Sequence, residues 1–160
     1  PNGNTIDKIN LDHLVGDFSI ADLKKIKKKS INSEILESKL GPKPKKRILL
    51  NFGWDINYGK SNYYRDSPFL DKSACQWLIK KKCALLGMDI PSPDNPINNF
   101  DSDNDSPNHK ILLGKKIIIV EYMTKLDKLI NIKNGILVIA PLNILYSDGS
   151  PSRAFAIIKK

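Results

Sequence analysis

Histidine, arginine and cysteine are scarce in this chain, and each scarcity removes a class of function. With two histidines in all, His13 and His109, a closed metal site would need donors from elsewhere. Cys75 and Cys83 are the only cysteines. They lack CxxC spacing and a nearby histidine, so they read as buried small hydrophobes in a reducing compartment, and the cytoplasm is the expected location. The arginines are Arg47, Arg65 and Arg153, so the net charge of +9 is carried mainly by lysine. Nucleic-acid readers lean on the arginine fork. The densest basic run, Lys24-Lys-Ile-Lys-Lys-Lys29, has no interleaved aromatics to stack bases, so solvated faces are favoured over a nucleic-acid partner. No apolar run approaches the roughly 20 residues of a membrane helix, and the segment Pro1 to Asp7 is too polar for a signal peptide. GxSxG, a Walker loop and GxGxxG are all absent.

What is present is an ordinary globular composition, 41% apolar and 27% charged over 160 residues, enough for one domain with its own core. Strands are expected at 18–20, 47–51, 84–88, 115–122, 136–144 and 154–158. Helical spacing recurs over 20–29, and Ser33 reads as the cap of a short helix. Residues 70–82 form the best helix, with Asp71 as N-cap and lysines in its last turn. One helical turn is expected at 125–129. Residues 51–68 form a long loop rich in aromatics, and residues 91–108 read as a loop with four prolines. Strands separated by short helices predict an α/β fold, a single domain with a mixed β-sheet and flanking helices.

Three positions are chemically suggestive. His109 stands where a polar loop enters Ile111-Leu-Leu113, and Glu121 closes the aliphatic run 117–120. Burying an unpaired carboxylate there is costly, and an imidazole with a carboxylate is an ordinary donor pair for Zn or Mn. A His–Glu hydrogen bond, or two unrelated surface groups, would give the same spacing. Asp89 ends another strand, at the edge where open α/β sheets bind ligands; capping the next turn with Ser92 accounts for it equally. His13, among apolar neighbours, reads as a surface or capping residue.

Taken in order, the motifs resemble the cyclase/kynurenine formamidase (arylformamidase) family of metal-dependent hydrolases. They are Asn2-Gly-Asn-Thr-Ile-Asp7 with Leu11 to Gly16, Ile48-Leu-Leu-Asn-Phe-Gly-Trp54, Pro68-Phe-Leu-Asp-Lys-Ser-Ala-Cys-Gln-Trp-Leu78 and Leu86-Gly-Met-Asp-Ile-Pro-Ser-Pro-Asp94. His109-Lys-Ile-Leu-Leu-Gly114, Ile119-Val-Glu-Tyr-Met-Thr-Lys-Leu126 and Ala140-Pro-Leu to Asp148-Gly-Ser-Pro-Ser-Arg-Ala154 follow. The resemblance implies a swivelling β/β/α-like fold, His109 and Glu121 as metal ligands, Asp89 and Ser92 as residues supporting the cleft, and Trp54 in the segment lining the substrate pocket. It implies cleavage of a small amide by metal-activated water, as in tryptophan catabolism, and a homo-oligomer, typically a dimer.

The chain departs from that pattern twice. Asn51-Phe52 stands where the family shows Arg-Thr, so any hydroxyl contact at that place is lost. The signature His-x-Gly-Thr-His-x-Asp-x-Pro-x-His, which carries most ligands and the proton-transfer histidine, is absent. In relatives it lies just upstream of the segment that opens this chain, so the proton-transfer histidine is expected upstream of Pro1 and no catalytic residue is assigned within the chain. Residues 1–160 are accordingly expected to form a cyclase-family domain incomplete at its N-terminus. The leading expectation is a Zn- or Mn-dependent amidohydrolase, inactive as this chain alone. A non-catalytic assembly subunit on the same fold and a Lys-rich nucleic-acid-binding protein are the alternatives.

Overall fold

The computed structural model describes residues 3–98 and 105–158. Pro1, Asn2 and part of the 91–108 loop lie outside them, so the expectation of a proton-transfer histidine upstream of Pro1 also falls outside the described residues. In chain order the strands are β1 (Val15–Asp22), β2 (Ser30–Ile31), β3 (Arg47–Asn51), β4 (Phe69–Leu70), β5 (Leu85–Met88), β6 (Ile118–Val120), β7 (Gly135–Pro141) and β8 (Ser152–Ile158). The helices are α1 (Leu11–Leu14), α2 (Ser33–Leu40), α3 (Lys72–Lys80) and α4 (Pro107–Leu113). Six strands form one mixed sheet in the order β6-β5-β3-β1-β7-β8, and β2 pairs with β4 separately. β1, β3, β5 and β6 are mutually parallel where they pair, while β7 pairs antiparallel with both β1 and β8.

β3 is central and all five of its residues are buried, which is why its middle, Ile48-Leu-Leu50, is a continuous aliphatic run rather than an alternating one. Alternate residues of the sheet feed two cores. Ile48, Leu50, Leu86 and Met88 pack with Ala74 and Leu78 of α3 and Leu36 of α2. Leu49 and Leu85 meet Leu14, Leu126, Leu137 and Ile139 on the opposite face. Cys75 and Cys83 are both free and buried, and burial pushes each thiol up to about 12. They behave as the small hydrophobes expected of them.

Asp71 caps α3 as expected, its Oδ1 accepting from the Ala74 N–H at 2.9 Å. For α2 the cap is Asn32, accepting from Ile35 N–H at 3.0 Å, and Ser33 is the first helical residue. The helical spacing over 20–29 is overruled. Ile20 and Ala21 pair with Leu49 and Leu50 in the sheet, and only a turn follows, with Ile26 N–H bonded to Leu23 O. A central ladder position outweighs a weak apolar period among lysines. Conversely, α4 lies partly in a stretch that reads as loop: its N-cap Ser106 makes no capping hydrogen bond. No helix among the described residues is long and apolar enough to cross a membrane.

Candidate metal centre

Because β3, β5 and β6 are parallel, their C-terminal ends share one edge of the sheet. Gly87 pairs with Val120, so Asp89 and Glu121 both emerge just beyond that edge. Behind Glu121 the chain is pinned to β5 by Met123 N–H to Met88 O at 2.9 Å and Tyr122 N–H to Ile90 O at 3.2 Å. Tyr122 takes a positive φ of 57° to make this turn. Its ring joins those of Tyr63 and Tyr64, with centroids 6.2 and 6.5 Å away, and burial pushes its hydroxyl up to about 12.

His109 arrives from α4. Its Nε2 lies 3.3 Å from Glu121 Oε1, and its Nδ1 lies 2.5 Å from Asp94 Oδ2. Both His109 and Glu121 line a cleft of about 1100 Å³ between the β6 end and the curled β7–β8 pair. Glu121 Oε1 is buried yet makes no hydrogen bond to any described residue: at 3.3 Å it is within ion-pair reach of the imidazole but not aligned with it. A buried carboxylate oxygen without a donor costs about 1–3 kcal/mol, so this atom is left poised for a ligand. Two donors bonded to one cation at about 2.1 Å with a tetrahedral angle sit about 3.4 Å apart. The observed spacing therefore fits two positions of a Zn- or Mn-type coordination sphere. No group of three or more metal donors converges among the described residues.

The other sequence-selected residues fall outside this cleft wall. Asp89, buried, accepts Phe52 N–H at 2.8 Å on one oxygen and Trp54 N–H at 2.9 Å on the other. Gly53 between them has φ 65°, the left-handed turn that aims both N–H groups at one carboxylate. Burial raises the Asp89 carboxyl and the two backbone donors oppose it. Phe52, lacking the hydroxyl of the family pattern, contributes its backbone instead. Trp54 donates its indole N–H to Tyr63 O at 3.0 Å and packs against the helix-side core. Ser92 Oγ accepts Asp94 N–H at 3.0 Å, which ties it to the residue beside His109 rather than to Asp89. His13 lies in α1, where its carbonyl accepts from Arg47 Nε at 3.0 Å.

Residues missed by sequence reasoning are Asp94, Asn108 and Tyr122. Asn108 is buried and bridges Leu70 O and Pro93 O at 2.7 and 2.9 Å. A buried amide beside a histidine, after a proline at a helix start, is the signal that could have flagged it.

The cyclase family model matches residues 1–95, from Pro1 onward and more than half of the chain. The chain belongs to the cyclase family. Solved structures agree with this cyclase fold across nearly the whole chain. An isatin hydrolase bound to the product analogue thioisatinate superposes with a TM-score of 0.81 at 22% identity, over 97% of this chain and 64% of that one. Isatin hydrolase A from Labrenzia aggregata, bound to benzyl benzoate, gives 0.79 at 21% identity, over 98% and 66%. A potential metal-dependent hydrolase with cyclase activity gives 0.69 at 22%, over 99% and 72%. At these identities the likeness is one of fold. The chain thus spans just under two thirds of the length of the two isatin hydrolases. No protein of curated function matches it.

The centre makes the cyclase-family chain pH-sensitive when no metal is bound. Burial pulls the His109 imidazole down, but its contacts with Asp94 and Glu121 outweigh this and raise it to about 9. The folded value exceeds the ordinary 6.5, so the stabilisation is complete below about pH 6.5 and is lost as pH rises through about 9. That loss is on the order of 3 kcal/mol. Urea denaturation across this range should show the decline, and His109→Gln should flatten it.

Proposed function

We propose that this cyclase-family chain carries part of the metal site of a small-amide hydrolase of arylformamidase type, with His109 and Glu121 as its two donors and no proton-transfer histidine assigned within these residues. The observation that carries the reading is the approach of His109 Nε2 and the donorless Glu121 Oε1 to 3.3 Å in a cleft wide enough for a small molecule. One imidazole and one carboxylate suit Zn or Mn. When bound, such a cation supplies Lewis acidity toward a carbonyl and toward water. The chain's part is to present two ligands from α4 and the end of β6, and to enclose the substrate between apolar walls such as Val120, Leu137 and Ile139. Asp89 supports the edge by fixing the Trp54 loop.

Two donors fall short of the usual three or four. The chain alone should therefore hydrolyse no formanilide, whereas co-expression with a segment bearing His-x-Gly-Thr-His-x-Asp-x-Pro-x-His should restore both metal content and hydrolysis. Robust turnover by the 160-residue chain alone would refute the incomplete-site reading. A complemented complex that stays metal-free would favour an assembly subunit instead.

A further inference from the structure

Helix α4 begins without help from its own N-cap residue, since Ser106 makes no side-chain capping bond. The capping oxygen comes instead from Asp94, fourteen residues before Asn108 in the chain. Asp94 Oδ1 accepts the Asn108 N–H at 2.6 Å, and Oδ2 accepts the His109 N–H at 3.3 Å. Oδ2 also meets the His109 ring at Nδ1, 2.5 Å away. Asp94 is itself buried and is held from behind by Ser92 Oγ on its own N–H. One carboxylate thus sets both the start of the helix and the orientation of the ring that the helix carries.

We infer that Asp94 is the positioning residue of the centre: by accepting a hydrogen bond from Nδ1–H it fixes His109 in the tautomer whose Nε2 lone pair faces Glu121. A carboxylate can only accept hydrogen bonds when ionised, so the neutral ring beside it must carry its proton on Nδ1. Nε2 is then left bare on the side where Glu121 Oε1 waits. Such carboxylate–histidine pairing is a general means of orienting a metal-binding imidazole and raising its basicity. The metal half of this inference rests on the reading of His109 and Glu121 as donors; the tautomer half does not.

Asp94→Asn separates capping from positioning. The amide oxygen can still accept from Asn108 N–H and preserve α4, while the amide N–H₂ placed against Nδ1 favours a proton on Nε2. The test is nitrogen–proton correlation spectroscopy of the 15N-labelled chain in alkaline buffer, where the ring is neutral; with two histidines in the chain the assignment is direct. The wild type should show His109 protonated at Nδ1, and Asp94→Asn should shift it to Nε2 with the α4 amide signals retained apart from that of His109, whose N–H loses its Oδ2 acceptor. A wild-type ring protonated at Nε2, or a tautomer indifferent to Asp94→Asn, would overturn the inference. Zn²⁺ titration of the same samples adds a second readout, with Asp94→Asn binding at His109 about 10- to 100-fold more weakly. The expected tautomers without any Zn²⁺-dependent shift at His109 would uphold the positioning role and remove the metal reading. Equal Zn²⁺ affinity in both proteins would overturn the metal half alone.

Discussion

Glu121→Ala should lower the Zn²⁺ affinity of the chain by more than about 100-fold, since it removes one of two converging donors, a larger loss than the 10- to 100-fold typical of supporting residues. Its effect on stability should be small, because two terms oppose each other. The substitution relieves the desolvation of a carboxylate whose buried Oε1 lacks a well-aligned donor, a gain of about 1–3 kcal/mol. It also removes the ion pair with His109 at 3.3 Å, a loss of about 1–3 kcal/mol for a charged contact. A net change within about 1 kcal/mol is expected. Calorimetric Zn²⁺ titration together with urea denaturation reads both quantities. A residue placed for stability would give the reverse pattern, a large loss of stability with metal affinity intact.

Asp89→Ala should behave as that reverse pattern. It strips the shared acceptor from Phe52 N–H and Trp54 N–H, leaving two donors unsatisfied beneath the aromatic loop. Each buried unsatisfied donor costs about 1–3 kcal/mol. Part of this is offset because burying the carboxylate is itself unfavourable, as its raised titration reflects. A net destabilisation of about 2–4 kcal/mol in urea denaturation is expected. Asp89→Asn, which keeps one acceptor oxygen, should fall between the two. A loss below about 1 kcal/mol for Asp89→Ala would show that the Trp54 loop is held by something other than this carboxylate.

The parts of the fold visible in the sequence are those set by local physics. β3 is a fully buried strand, and its middle is written as the aliphatic run Ile48-Leu-Leu50. α3 carries its own cap in Asp71. β7 and β8 keep enough β-branched and apolar residues to be recognised. The hidden parts depend on partners distant in the chain. α4 borrows its cap from Asp94, so nothing near Pro107 announces a helix start. Lys24 and its neighbours imitate a helical period, although Ile20 and Ala21 belong to the sheet. The site divides in the same way. Glu121 and Asp89 stand out in the sequence as charges ending apolar strands. The convergence of Glu121 with His109 is implied there by family resemblance alone, since a twelve-residue separation across a turn and a strand specifies no geometry by itself. Asp94 is legible only once α4 folds back over it.

In the proposed site, His109 Nε2 and Glu121 Oε1 converge on a single cation. Anomalous diffraction from crystals soaked in Zn²⁺ measures this directly. One peak is expected about 2.0–2.2 Å from both atoms, lost in crystals of Glu121→Ala. A peak bound elsewhere with these two side chains untouched, or their separation into a direct hydrogen bond under saturating Zn²⁺, would contradict it.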